Sequence, residues 1–136
     1  MTTLMRPARR AGLYEDMFWR YLQTRKVHLQ SCNACGSTWY PPGPVCPGCL
    51  SDAWSWKPIS GAGKAVAWTT FHRQYFKEVP VPHTVVSAKL DEGPLFVADF
   101  SGDVAALALD TPLHLQFVQV QHADSISWSV QWTPRP

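Results

Sequence analysis

Charge is scarce in this chain: only 16% of its 136 residues are Asp, Glu, Lys or Arg, and the formal net charge is +2. So thin a charge layer does little to hold neighbouring molecules apart. Long hydrophobic runs are missing too, since no stretch approaches the roughly 20 apolar residues of a membrane helix. The opening residues 1–10 lack the apolar core of an export signal and read as a frayed basic tail, so no membrane association and a cytoplasmic location are expected. Internal repeats, heptads and low-complexity tracts are absent, which removes solenoids, coiled coils and disordered linkers. What remains, with 46% apolar and 12% aromatic residues, is a globular chain with room for one ordinary domain or two very small ones sharing a core.

The chain changes character twice. In residues 12–23, Tyr14, Phe18, Tyr21 and Leu22 recur at helical spacing, with Leu13 and Met17 widening the stripe, which predicts an amphipathic helix. Its apolar face requires a cover, either the chain's own core or a second subunit. Residues 27–59 consist of short extended pieces broken by Cys, Gly and Pro, with too few apolar side chains for a core of their own, so a staple has to hold them.

From residue 60 onward the pattern is strand-like, with strands predicted at 64–72, 84–90, 95–100, 113–121 and 125–132. The last is the plainest: Ile126, Trp128, Val130 and Trp132 alternate with Ser127, Ser129 and Gln131. In 113–121 the apolar parity switches between Phe117 and Val118, as a bulge or a bent barrel strand would require. Five short strands with one irregular connection at 103–110 predict a small closed or nearly closed OB-type barrel, with a sandwich fragment as the competing architecture. The expected plan is therefore mainly β: tail and helix in 1–26, a cysteine ribbon in 27–59 and a barrel in 60–136.

Cysteines occur only as two C-x-x-C knuckles, Cys32–Cys35 and Cys46–Cys49, separated by ten residues. Without an export signal the pairs point to metal rather than disulfides. Each knuckle aims two thiolates at one tetrahedral ion while backbone amides close around the sulfurs. The spacing between knuckles is somewhat short for a four-cysteine zinc site, and iron accepts the same ligands, yet one structural Zn2+ per chain is the expectation. A four-thiolate site leaves no coordination position open, so the metal activates no water. It also uses every cysteine, leaving the chain without a thiol nucleophile.

Other features carry less. His28, His72, His83, His114 and His122 stand alone on strand-like segments and are read as structural. Gly61-Ala62-Gly63 lacks the rest of a nucleotide-binding fingerprint and reads as a turn into the barrel. His72, Arg73 and Lys77 lie near Tyr75 and Phe76, which makes a solvated loop or a contact for an anionic ligand.

The knuckles, Tyr40-Pro41-Pro42, Ser60-Gly61-x-Gly63 leading to Trp68-Thr69 and His72-Arg73, and Leu90-Asp91-Glu92-Gly93 follow one another in an order that resembles the acyl-CoA-associated OB-fold family with an N-terminal rubredoxin-like zinc ribbon. The resemblance spans roughly residues 14–132. It implies a helical arm, a zinc ribbon and an OB barrel working beside a thiolase-superfamily enzyme that makes or breaks carbon–carbon bonds, such as a steroid side-chain aldolase or an aromatic C-acyltransferase. Asp110-Thr111-Pro112 departs from the glycine turn common in relatives, and residues 74–83, with Pro80 and Pro82, read as a variable lip.

On that resemblance the chain is expected to be a non-catalytic subunit in a hetero-oligomer, stabilising a thiolase-like acyltransferase or aldolase and completing its channel for an acyl-CoA or acyl-ketone substrate. Tyr14, Phe18, Tyr21, Trp68, His72 and Arg73 are the expected ligand or partner contacts. A single-stranded nucleic-acid module is the rival, since ribbons and OB barrels both serve it. Charge opposes it: residues 1–59 carry seven Lys/Arg against three Asp/Glu, but 60–136 carry five against seven, so the barrel lacks the phosphate-binding field. A stand-alone acyl-CoA-binding or thioester-hydrolysing protein would need an acid–base pair that no spacing here identifies.

Overall fold

The computed structural model describes residues 3–9 and 12–136. In chain order its elements are β1 (Thr3–Met5), α1 (Glu15–Gln23), β2 (His28–Cys32), β3 (Thr38–Trp39), β4 (Trp54–Pro58), β5 (Ala62–Phe71), β6 (His83–Leu90), β7 (Leu95–Phe100), β8 (Pro112–Gln121) and β9 (Ile126–Pro134). A 3-10 turn, Val104–Ala106, occupies the irregular connection, with Asp103 accepting a hydrogen bond from the Ala105 amide.

The strands form two sheets. A small one has the order β3-β2-β4, and the larger runs β1-β8-β5-β6-β7-β9 and closes through a further β8–β9 pairing. The ring β5-β6-β7-β9-β8 is a five-stranded barrel. Its only parallel joint is β7–β9, through Asp99↔Gln131 and Phe100↔Trp132. This is the OB plan, and the sandwich alternative falls away.

The alternation in β9 does what its pattern predicts: Val130 and Trp132 are buried, and the Trp132 indole N–H donates to the Phe96 carbonyl at 3.0 Å. The parity switch in β8 is no bulge, because its register with β9 runs unbroken from Leu113↔Pro134 to Gln121↔Ile126; Val118 and Val120 instead line a cavity with Leu4, Pro7 and Trp19. One end of β8 pairs with β5 and the other with β1, so the strand changes neighbours along its length. The barrel's register shift lies instead in β5, between Ala65 and Ala67. Gly63 is no turn residue. It sits inside β5, where an added Cβ would lie 2.8 Å from the Lys89 carbonyl and 3.1 Å from the Trp132 ring.

Two other expectations are corrected or resolved. Residues 3–5 are not frayed: they pair parallel to β8 from Thr3↔Gln119 to Met5↔Gln121, covering backbone that β5 does not reach. Arg6 then grips Asp99 through Nε and Nη2 at 3.1 and 2.7 Å. The helix buries part of its stripe in the chain's own core, with Phe18 and Leu22 fully buried among barrel residues. At nine residues it cannot stand alone. The Gln23 side chain clamps its end by bonding both the amide and the carbonyl of Trp128. Leu13, Tyr14 and Met17 remain exposed.

Candidate metal centre

Each knuckle is built by the same local turn. Cys32 N–H bonds the Ser37 carbonyl at 2.8 Å and Gly36 N–H bonds the Cys32 carbonyl at 2.9 Å, while in the second knuckle Cys46 N–H bonds Ser51 and Leu50 N–H bonds Cys46 at 2.9 and 2.8 Å. Gly36 and Leu50 occupy matching places, both with positive φ (80° and 65°). Amides also point at sulfur: Cys35 N–H lies 3.4 Å from Cys32 Sγ, and Gly48 N–H lies 3.4 Å from Cys46 Sγ.

The sequence therefore folds two turns whose four sulfurs meet. All four Sγ atoms lie within 4.8 Å of one another, with Cys32–Cys49 at 3.5 Å and Cys35–Cys46 at 3.6 Å. Thiolates tetrahedrally bound about 2.3 Å from a central ion have sulfur–sulfur edges of roughly 3.8 Å, so the donor set fits a four-coordinate metal. Cys32 and Cys46 are buried and Cys35 and Cys49 exposed. Trp39 packs on the buried pair, with Trp54 against it.

Electrostatics within the cluster also ask for a cation. The Ser37 hydroxyl and amide lower the Cys35 thiol to about 6. At Cys49 the Ser51 amide bond lowers the pKa, but the hydrogen bond with Cys32, desolvation and the other thiols outweigh it and push it up to about 12. Four sulfurs this close cannot all ionise without a positive charge between them.

The remaining expected contacts do not converge. Phe18 is 1% exposed and locked into the core, touching Trp19, Tyr40 and Phe96. Tyr21 stacks on His28 with centroids 3.8 Å apart, and burial followed by the Lys26 charge lowers the His28 pKa. Tyr14 stands exposed at the start of α1. Trp68 faces the same side of the sheet as its partner Val86 but is 37% exposed, while His72 and Arg73 lie exposed beyond the end of β5.

A polar network escaped sequence reasoning. Asp99 Oδ1 meets His83 Nε2 at 2.9 Å and Oδ2 takes Arg6, joining residues 93 positions apart. Nearby, Arg9 lies 3.5 Å over the Trp19 ring, and the two nitrogens of His122 meet the Pro7 carbonyl and the Ser127 hydroxyl at 3.0 Å each. No periodicity links such distant positions. Together these contacts strap residues 6–9 across the barrel and wall a cavity of about 370 Å³.

Comparison with known proteins agrees with this architecture. Residues 19–55 match the family model "ChsH2, rubredoxin-like zinc ribbon domain", and residues 56–118 match "ChsH2, C-terminal OB-fold domain". A chain of the solved "Ltp2-ChsH2(DUF35) aldolase" superposes with a TM-score of 0.81 at 23% identity, covering 93% of this chain and 98% of that one. A DUF35 protein of unknown function from Sulfolobus solfataricus gives 0.64 at 12% identity, covering 92% and 87%. Both are likenesses of fold. A curated relative, the "Probable enoyl-CoA hydratase alpha subunit" of Thermomonospora curvata, is 29% identical over 89 residues, or 65% of this chain, and the match spans only 28% of that longer protein.

Proposed function

Because the chain belongs to the ChsH2 family, we propose that it is a non-catalytic, zinc-holding subunit of a hetero-oligomer whose catalytic partner is a thiolase-like enzyme making or breaking carbon–carbon bonds in acyl substrates. The observation that carries this reading is the placement of all four of the chain's cysteines in one cluster, within 4.8 Å. Bound there, Zn2+ supplies folding energy and no reactive coordination site. The fold-level likeness to a chain of the Ltp2-ChsH2 aldolase supports the choice of partner. The exposed Leu13, Tyr14 and Met17, at and just before the start of α1, offer apolar surface of the kind that subunits bury.

The similarity to a hydratase alpha subunit favours a second reading, in which the same architecture serves an enoyl-CoA hydratase assembly. Affinity purification of the tagged chain from its own cells separates the two. A near-stoichiometric thiolase-fold protein supports the first reading. A hydratase in its place supports the second, and recovery of nucleic acid that survives only low salt would return the barrel to the oligonucleotide class. Metal analysis of the same preparation is expected to give about one zinc per chain.

A further inference from the structure

The connection between β5 and β6 brings Tyr75, Phe76, Val79 and Val81 beside Phe71 around a cup of about 320 Å³, at the small end of the range for ligand pockets. Of these, Phe71, Tyr75, Phe76 and Val81 are 41%, 70%, 56% and 36% exposed. So many large apolar groups around one concavity are unusual for a bare surface.

The cup is preformed. The Gln74 amide donates to the carbonyls of Lys77 and Val79 at 3.4 and 3.2 Å, and Val79 N–H bonds the Phe76 carbonyl at 3.0 Å. The His83 ring lies nearly parallel to Phe71, its centroid 6.1 Å away, and is pinned by Asp99.

Charge selects the occupant. At the cup's edge Asp99 is engaged on both oxygens, by His83 and by Arg6, and its negative charge is paired with the Arg6 guanidinium. The Arg73 guanidinium lies 5.4 Å from the Tyr75 ring and, among the described residues, forms no salt bridge. An apolar cup with one uncompensated cation at its rim matches a hydrocarbon body ending in an anion.

We propose that this cup binds a small apolar carboxylate, a fatty or aryl acid, with its hydrocarbon against Phe71, Phe76, Val79 and Val81 and its carboxylate on Arg73. The site lies on this chain alone and does not depend on which catalytic partner it joins.

The test is titration of the metal-loaded 136-residue chain with decanoate and with 1-decanol, followed by calorimetry and by amide chemical shifts. Decanoate is expected to bind saturably and about tenfold more tightly than the alcohol, the size of one charge-assisted contact. Shifts should cluster in residues 71–83. Arg73→Gln should bring decanoate down to the alcohol's affinity, and Phe76→Ser should weaken both ligands. Both side chains are exposed, so neither change threatens the fold. Equal affinities for acid and alcohol, shifts centred elsewhere, or no saturable binding would overturn the site while leaving the subunit reading to its own purification test.

Discussion

The ribbon and the barrel solve the same problem by opposite means. The apolar cluster of the ribbon's knuckles is small, Cys32, Trp39 and Cys46 with Trp54 against them. The barrel and helix share a continuous core that includes Phe18, Leu22, Val86, Leu113 and Trp132, each at most 1% exposed. One region is organised by four convergent sulfurs and the other by displaced water. They are not independent, because Val27 and Leu29 lie in the barrel's core while Cys32, at the end of β2, is one of the four cysteines positioned to hold a metal ion. Strand β2 therefore belongs to both regions. The comparison teaches that a segment too poor in apolar residues to fold alone can be organised by a cluster of cysteines at one end and a neighbour's core at the other.

The sharpest way to break that contrast is to remove the metal. Cys46→Ser, or chelation of the wild type, should abolish metal retention, with a loss on the order of 10 kcal/mol for a structural zinc. Hydrogen exchange should then accelerate in the knuckle amides of Gly36 and Leu50 while the amides of β8 and β9 stay protected. If protection in β8 and β9 collapses to the same extent, ribbon and barrel are a single cooperative unit.

Trp132→Ala attacks the other side. It removes the largest fully buried side chain and the donor to the Phe96 carbonyl, so it should cost about 3–5 kcal/mol in thermal or denaturant unfolding. Zinc stoichiometry should stay near one per chain under native conditions. A smaller loss, about 1–3 kcal/mol, is expected for Gly63→Ala, whose methyl would press on the Lys89 carbonyl and the Trp132 ring. The smallest effect should be a gain: Leu50→Gly relieves a left-handed backbone at φ 65° on an exposed side chain and should stabilise the second knuckle by up to about 1 kcal/mol. Slower zinc release to a competing chelator would register it.

Much of this was legible before any coordinates, for identifiable reasons. Two C-x-x-C pairs are short-range chemistry, since each turn needs only its own few residues to aim two sulfurs. The strands of the barrel were readable because burial on one face imposes a two-residue period, as in β9. Asp110, in the turn before β8, adopts φ 67°, a conformation that aspartate tolerates better than most residues. The switch in β8 was visible as broken parity, yet parity could not tell a bulge from a strand covered on its other face. That distinction needs the partner strand, whose register proved continuous.

Other features had no local signal. The bond of Arg6 to Asp99, the Pro7 carbonyl on His122 and the parallel seat of β1 on β8 join residues 3–7 to barrel positions about 90 to 120 residues later in the chain. Phe18 looked like a contact residue because a helical stripe states that a face will be covered without saying by what. By itself, then, the sequence determined the two cysteine knuckles, the period of each strand and the family, because these depend on neighbours a few positions apart. Only the tertiary structure decided which apolar faces were covered, how the barrel closed and where Arg73 stood beside an apolar cup, because those depend on distant segments competing for the same surface.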